Sequence, residues 1–519
     1  MSKAIKIGWG SRSIAPDFPV YISGQFNMRI SHGVYDSVEA NALVLENGEE
    51  QAIFVSCDMV SVSPDVHAKV QGLLTAEVPE IQVDKLIVNA THTHAGPSSM
   101  DFGKFPMSME VAEGEKTRIF LARQIADAIK EAWEKRARGS IAYGYGFATT
   151  GHSRRVIYMD DIGLRNGGNP GIAVDGHGRM YGNTNDDMFA SYEAGTESFI
   201  NIFYTFDAAG KLSGAVINVP CPSQTNEAAW ELHASFWNQV RKKLTDKYGK
   251  IGIVGQSAAA GDLSPRQLHY KEAEWRRYQL KYPEKIAAYM AKPMLCPDLE
   301  FATPERKEAQ HRFNCLEYMR AEDIAGRIVA AFEEVLSWAE KEKFSQPEFT
   351  HEVKVVDLKR RMFPKEMMEE EKKNHEALMQ REMLTEGEGD KWQVLSHNSY
   401  LNSRRNRCNG VVTRYEVQEK EPFIPCDVHV VRIGNIAFAT SRFELYMDYM
   451  HRIQARSPFE QTFIVQLVTG PNGCGSYLAT VRGEANKGYS ASPYCNQVSP
   501  EGGQMLVEET LKILKDMKK

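Results

Sequence analysis

Apolar and polar positions along the first half of the chain fall into short blocks that read as strands separated by helices. Asn41 to Gly48 and Gln51 to Ser56 are two apolar, β-branched runs around a Gly-containing turn, which predicts paired strands. Leu86-Ile87-Val88 is a third run, short and apolar enough for a buried strand. Between Lys116 and Arg136 the spacing changes to three and four, which puts Ile119, Ala122, Ile125, Ala128 and Ile129 on one side of a helix. Strands return at Phe199 to Phe206 and Gly214 to Val219. A helix is predicted over Thr225 to Tyr248, followed by a short buried strand at Ile251 to Gly255.

The pattern then becomes charged and helical from about residue 271 to 345, and again from 360 to 395. KEMMEEEKKNHEALMQREM, within the second stretch, reads as a solvated helix packed by one face. Both stretches are expected to be helical insertions or a lid. Strands resume over Asp427 to Ala439, and Met505 to Lys519 is a terminal amphipathic helix. The expected fold class is α/β, a mixed β-sheet core surrounded by helices, as one large domain spanning residues 1–519. No repeat or Gly/Ser-rich linker interrupts it.

Composition narrows the function classes. A net charge of −6 over 519 residues offers no electrostatic case for nucleic acid or an anionic membrane surface. No apolar run approaches the roughly 18 residues of a membrane span. The N-terminus has no apolar stretch before Gly8, so no signal peptide is expected. Eight cysteines are scattered singly (57, 221, 296, 315, 408, 426, 474 and 495), which suits reduced thiols and a cytoplasmic location. The expected partner is a small-molecule substrate, with a homo-oligomer left open.

The chemistry concentrates in Asn89-Ala90-Thr91-His92-Thr93-His94-Ala95-Gly96-Pro97, a polar loop directly after a buried strand. On an extended segment residues i and i+2 share a face, so His92 and His94 can converge on one site. A pair of hydrogen-bonded loop histidines is the plainer reading. There is no Gly-x-Ser-x-Gly, no His-Glu-x-x-His and no Gly-x-Gly-x-x-Gly after a strand. Taken alone, Glu444 reads as an acidic first-turn residue for Leu445 to Ile453, and Tyr477 and Tyr489 as packing residues. Asp262 and Ser264 read as turn formers before Pro265.

Together these segments resemble, in order along the chain, the neutral ceramidase family of zinc-dependent amidases. The Thr91-to-Pro97 run matches its Thr-His-Thr-His-x-Gly-Pro signature. Gly8 to Pro16 is a partial match to its opening, and Gly33-Val34-Tyr35-Asp36 leads into the first strands as the family does. Ser153-Arg154-Arg155 stands at its arginine element, and Gly261-Asp262-Leu263-Ser264-Pro265 at its Gly-Asp-x-Ser-Pro loop. Ile436 to Glu444 resembles its glutamate strand, Ser476 to Thr480 its Tyr-x-x-Thr loop, and Gly488-Tyr489 its Gly-Tyr element. The resemblance implies zinc held by His92, Glu444 and Tyr477, with His94, Arg154 and Tyr489 in catalytic roles. It departs at the second zinc histidine, where Asn218-Val219-Pro220-Cys221 places a cysteine. Cys221 as a thiolate ligand, His233 from the following segment, or no zinc of the family kind all remain open. A counterpart of the immunoglobulin-like C-terminal domain of ceramidases is not expected.

The expected function is a zinc-dependent, amidase-like hydrolase of a small polar amide. The alternatives are ester or glycoside-type cleavage of a hydroxyl-rich compound, with Glu444 or Asp262 as acid or base, and a non-catalytic small-molecule-binding protein without the metal.

Overall fold

Strands Glu39–Glu46 and Gln51–Cys57 pair antiparallel, Leu43 opposite Phe54 and Val44 opposite Ile53. The structure, a computed structural model, describes residues 3–103, 105–107, 111–166, 169–294, 297, 302–385, 387–388 and 390–519. Cys296 and parts of the first helical insertion lie outside these residues.

Successive side chains in these strands serve two cores. Leu43, Leu45, Phe54 and Ile87 enter one apolar cluster, while Ala42, Val44, Val55 and Val88 enter another beneath the helices. Being buried on both faces, the strands read as continuous apolar runs rather than as alternating ones. The six-stranded sheet runs Val468–Thr469, Leu86–Ala90, Gln51–Cys57, Glu39–Glu46, Lys6–Ser13 and Ala137–Arg138.

A second sheet orders Gly252–Ser257, Leu212–Val219, Phe199–Phe206 and Ser140–Phe147. A third orders Phe349–Lys359, Phe423–Ile433, Ile436–Thr440 and Gln461–Val465. The α/β class with a mixed-sheet core therefore holds, but the core is several sheets rather than one. All three send residues into a shared central cluster, Phe54, Phe203, Phe438 and Phe463 among them.

Each large sheet contains one parallel pair: Gln51–Cys57 with Leu86–Ala90, Leu212–Val219 with Gly252–Ser257, and Ile436–Thr440 with Gln461–Val465. Loops leaving the carboxyl ends of these strands are where open α/β sheets gather ligand-binding residues. Every candidate of the central site except Arg154, Tyr477 and Tyr489 follows such a strand end.

The predicted helix near 116–136 is Gly114–Glu134, with Ala122, Ile125, Ala128 and Ile129 buried. Ile119 is 56% exposed, so it lies on the outer side of the helix and not with the others. The helix expected over Thr225 to Tyr248 is only Phe236–Tyr248. Before it the backbone is committed elsewhere: Leu232 N donates to Gly33 O, His233 N to Ala95 O, and Ala234 N to Asp36 Oδ1. Asn226 and Ser235 both take left-handed φ values of 55°. Long-range pairing has overridden helix propensity there.

The insertions are helical, comprising Lys271–Lys281, Pro283–Met290, Pro304–Ala339 and Lys365–Met379. Of the last, Glu371 and Leu378 alone are buried, as a solvated helix requires. A further helix, Lys391–Val417, extends well past the expected boundary at 395, capped by Asp390, which accepts from Trp392 N and Gln393 N. No described helix is long and apolar enough to cross a membrane. The described cysteines are all unpaired thiols.

Candidate active site

The histidine loop starts from the end of Leu86–Ala90 and is held rigidly. His92 has φ of 64°, a conformation that costs a non-glycine residue energy and persists where its surroundings enforce it. Thr91 Oγ1 donates to Asp58 Oδ1 (3.2 Å), Thr93 Oγ1 to His233 O (2.9 Å), and a guanidinium nitrogen of buried Arg29 to His94 O (2.5 Å). Gly24, at φ 112°, lies against the ring. A Cβ there would sit 2.4 Å from His94 Cγ, so no other residue fits.

His92 and His94 converge, Nε2 to Nε2, at 3.4 Å. His92 Nδ1 faces the Val60 carbonyl at 2.8 Å and therefore carries a proton. Its Nε2 faces Glu444 Oε2, 3.3 Å away. Burial would raise the Glu444 carboxyl, but His92 and Arg154 outweigh it and hold it below the ordinary carboxylate range. On its other side His94 Nδ1 lies 3.3 Å from Glu227 Oε2. Burial pushes His94 down to about 4, so its ring is neutral near pH 7.

Arg154 lies beneath the centre, 1% exposed. Its Nη2 donates to Tyr477 Oη (3.0 Å) and Gly261 O (2.9 Å), its Nη1 donates to Gln224 Oε1 (3.3 Å), and Glu444 Oε2 is 3.6 Å away. Glu444 and Tyr477 are neighbours through a short parallel pairing of Glu444–Leu445 with Tyr477–Leu478. Burial holds the Tyr477 hydroxyl well above the ordinary phenol range against the pull of Arg154. Tyr489 packs edge-on against Tyr477, centroids 5.9 Å apart, and against Phe26 at 5.4 Å. Arg407, from Lys391–Val417, covers Phe26 and Tyr489.

Six of the seven residues singled out in the sequence thus gather here: His92, His94, Arg154, Glu444, Tyr477 and Tyr489. Cys221 is not among them. Its thiol donates to Thr150 O at 3.2 Å inside the apolar core, and burial pushes its pKa up. His233 is also turned away. Its Nδ1 accepts from Ser235 N (3.0 Å) and its Nε2 donates to Asn226 O (3.4 Å). Asp262 is occupied by the Met447 amide at the start of helix Met447–Gln454 (3.1 Å), so it caps a helix instead of facing the centre as an acid or base.

Gln224, Glu227 and Arg266 complete the centre and carry no motif. Gln224 Nε2 reaches His94 Nε2 at 2.6 Å, and Arg266 pairs with Glu227 at 2.7 Å. The one sequence signal is a polar run, Ser223 to Glu227, directly after a buried strand. Its resemblance to the opening of a helix hides its loop character.

The donor set suits a metal cation in part. A backbone carbonyl orients His92, as carbonyl and carboxylate partners orient metal-binding imidazoles, and an ionised carboxylate and a phenol adjoin it. Among the described residues, no group of three or more His, Cys, Asp or Glu is arranged to hold a metal ion.

No protein-family model matches the chain, and no curated protein matches it in sequence. Solved structures do. The neutral ceramidase from Pseudomonas aeruginosa superposes with a TM-score of 0.62 at 16% identity, over 99% of this chain and 75% of that one. A ceramidase complexed with C2 gives 0.61 at 15%, with the same coverage. The chain therefore has a ceramidase-like α/β fold.

Proposed function

We propose that the protein is a metal-dependent hydrolase of an amide C–N bond in a small polar substrate. The observation that carries this reading is the approach of His92 Nε2 to His94 Nε2 (3.4 Å) and to Glu444 Oε2 (3.3 Å), with the two imidazole Nδ1 atoms facing Val60 O and Glu227. Two imidazole nitrogens and a carboxylate oxygen that meet at such distances in a dry site favour positive charge among them, as a proton or as a metal ion. The ceramidase-like fold supports the amide assignment.

His92, Glu444 and Tyr477 would hold the ion, and zinc so bound supplies a polarised carbonyl and water activated near neutral pH. Arg154 is placed to donate to the substrate carbonyl oxygen, where negative charge grows in the transition state. Once substrate displaces Gln224, the His94 Nε2 lone pair is placed to take the proton that the attacking water loses and return it to the departing amine. Phe26, Tyr489 and Arg407 close the site on one side, which favours a compact substrate.

A panel of small N-acyl compounds, assayed with added zinc and with a chelator, tests the reading. Zinc-dependent release of free amine is expected. If no amide is cleaved while esters or glycosides are, the bond assignment is wrong. Ligand-induced stabilisation without turnover would favour the binding-protein alternative.

A further inference from the structure

Behind His94 runs a line of alternating buried charges that the proposed chemistry does not by itself need. Glu227 Oε2 faces His94 Nδ1 at 3.3 Å, and Arg266 Nη1 grips Glu227 Oε1 at 2.7 Å. Arg266 Nε donates to Glu317 Oε1 at 3.0 Å, and Glu317 pairs with Arg320. Arg320 makes a two-point contact with Glu274, at 2.9 and 2.7 Å, and Tyr278 Oη donates to the same carboxylate at 3.0 Å. The line leaves the loop after Leu212–Val219 and ends on helices Lys271–Lys281 and Pro304–Ala339, which belong to the first charged insertion.

Donors and acceptors along the near end admit one consistent assignment. Arg154 can only donate, so the amide oxygen of Gln224 faces it and the amide NH2 faces His94. That NH2 needs a lone pair on His94 Nε2. The ring proton must then sit on Nδ1, which makes no hydrogen bond of good geometry among the described residues and has Glu227 Oε2, 3.3 Å away, as the carboxylate it faces.

We infer that Glu227 is a positioning residue for His94. It holds the imidazole in the Nδ1–H form with Nε2 turned to the reaction centre, and Arg266 with the helical insertion fixes Glu227 in turn. A carboxylate behind an imidazole sets tautomer and ring orientation without touching substrate. The charged insertion is on this view a buttress of the centre as well as a solvated surface element. The inference rests on His94 acting in the proposed amide cleavage, but its first test does not require turnover.

That test is long-range 15N–1H NMR of the histidine rings in the intact protein, with His94→Gln identifying the His94 signals. Wild type is expected to show His94 as the neutral Nδ1–H tautomer. In Glu227→Ala the signal should move toward the Nε2–H form, and in Glu227→Gln, which keeps an acceptor, it should stay largely as Nδ1–H. An Nε2–H ring in wild type, or a tautomer indifferent to Glu227→Ala, overturns the inference. Should Glu227→Ala fail to fold, wild type and Glu227→Gln still decide it through the ring form and kcat.

With a cleaved amide in hand, Glu227→Ala should lower kcat about ten- to a hundredfold with KM changed less than about twofold, and Glu227→Gln should recover part of the loss. Loss confined to KM would make Glu227 a substrate-binding group and not a positioning one. If no amide is cleaved, the functional reading fails while the spectra still report on Glu227.

Discussion

Two pairs of buried histidines in this molecule look alike in burial and differ in what their nitrogens face. His351 and His429 lie on the paired strands Phe349–Lys359 and Phe423–Ile433. His351 Nδ1 donates to Gln51 O (2.9 Å), and His429 Nδ1 donates to His351 Nε2 (3.0 Å). Each proton has an acceptor and the pair is closed. At the candidate site the Nδ1 atoms face Val60 O and Glu227 from outside, so the two Nε2 atoms turn toward one another and toward a carboxylate oxygen. Burying imidazoles is therefore not what makes a site. The direction of the second nitrogen decides it, because a pair that satisfies itself has nothing left for a ligand.

The largest expected effect that sharpens this contrast is at Glu444. Glu444→Gln keeps the shape but removes the charge facing His92. Turnover of a responsive amide should fall about 10²–10³-fold, and bound zinc per chain, measured by elemental analysis, should fall with it. Retained zinc and activity would take Glu444 out of the metal site.

The closed pair predicts a response to acid. Burial lowers His351 and His429 to about 3 and His67, close to His429, to about 4, against 6.5 when unfolded. Facing them are Asp427, which draws His429 and His67 upward, and Lys85, which pushes His351 and His429 down. The unfolded chain binds these protons first, so stability is full above about pH 6.5 and is lost as pH falls toward 4 and 3. Each group contributes at most about 1.4 kcal/mol per pH unit. Urea unfolding at pH 7, 6 and 5 measures the slope, and a flat profile would contradict the assignment.

A smaller effect separates fold from function directly. His351→Ala leaves Gln51 O and His429 Nδ1 without their partner and should cost about 1–3 kcal/mol in the same unfolding experiment. Activity per folded molecule is expected to be unchanged. The smallest effect on the site is expected from Cys221→Ala. It should leave zinc stoichiometry and kcat as they are, since the thiol faces Thr150 O in the core; loss of zinc would return Cys221 to the centre.

Much of the strand framework was legible because parity along a buried strand is a local property: Leu43 and Leu45 point one way, Ala42 and Val44 the other. The helices were legible where apolar spacing ran uninterrupted, as in Gly114–Glu134. They were misjudged where distant partners claimed the backbone, as between Thr225 and Ser235. His92 and His94 stand in one short motif after a buried strand, whereas Glu444 and Tyr477 were legible only through the resemblance to a known family. Gln224 and Glu227 carried no motif, and their segment resembled a helix start.

The sequence by itself determined an α/β framework, a buried strand ending in a loop with two histidines, and charged insertions around it; the left-handed backbone at His92, not strand parity, turns the two rings together. Only the tertiary structure decided which neighbours those histidines have. Cys221 and Gln224 are three residues apart on one loop, yet the first is sealed in the core and the second touches His94. Pro220, Pro222 and the left-handed Asn226 shape that loop, and pairing with Gly33, Asp36 and Ala95 fixes the segment from Leu232 to Ala234. The facing of a loop side chain is set by contacts far away in the chain, which no local pattern encodes.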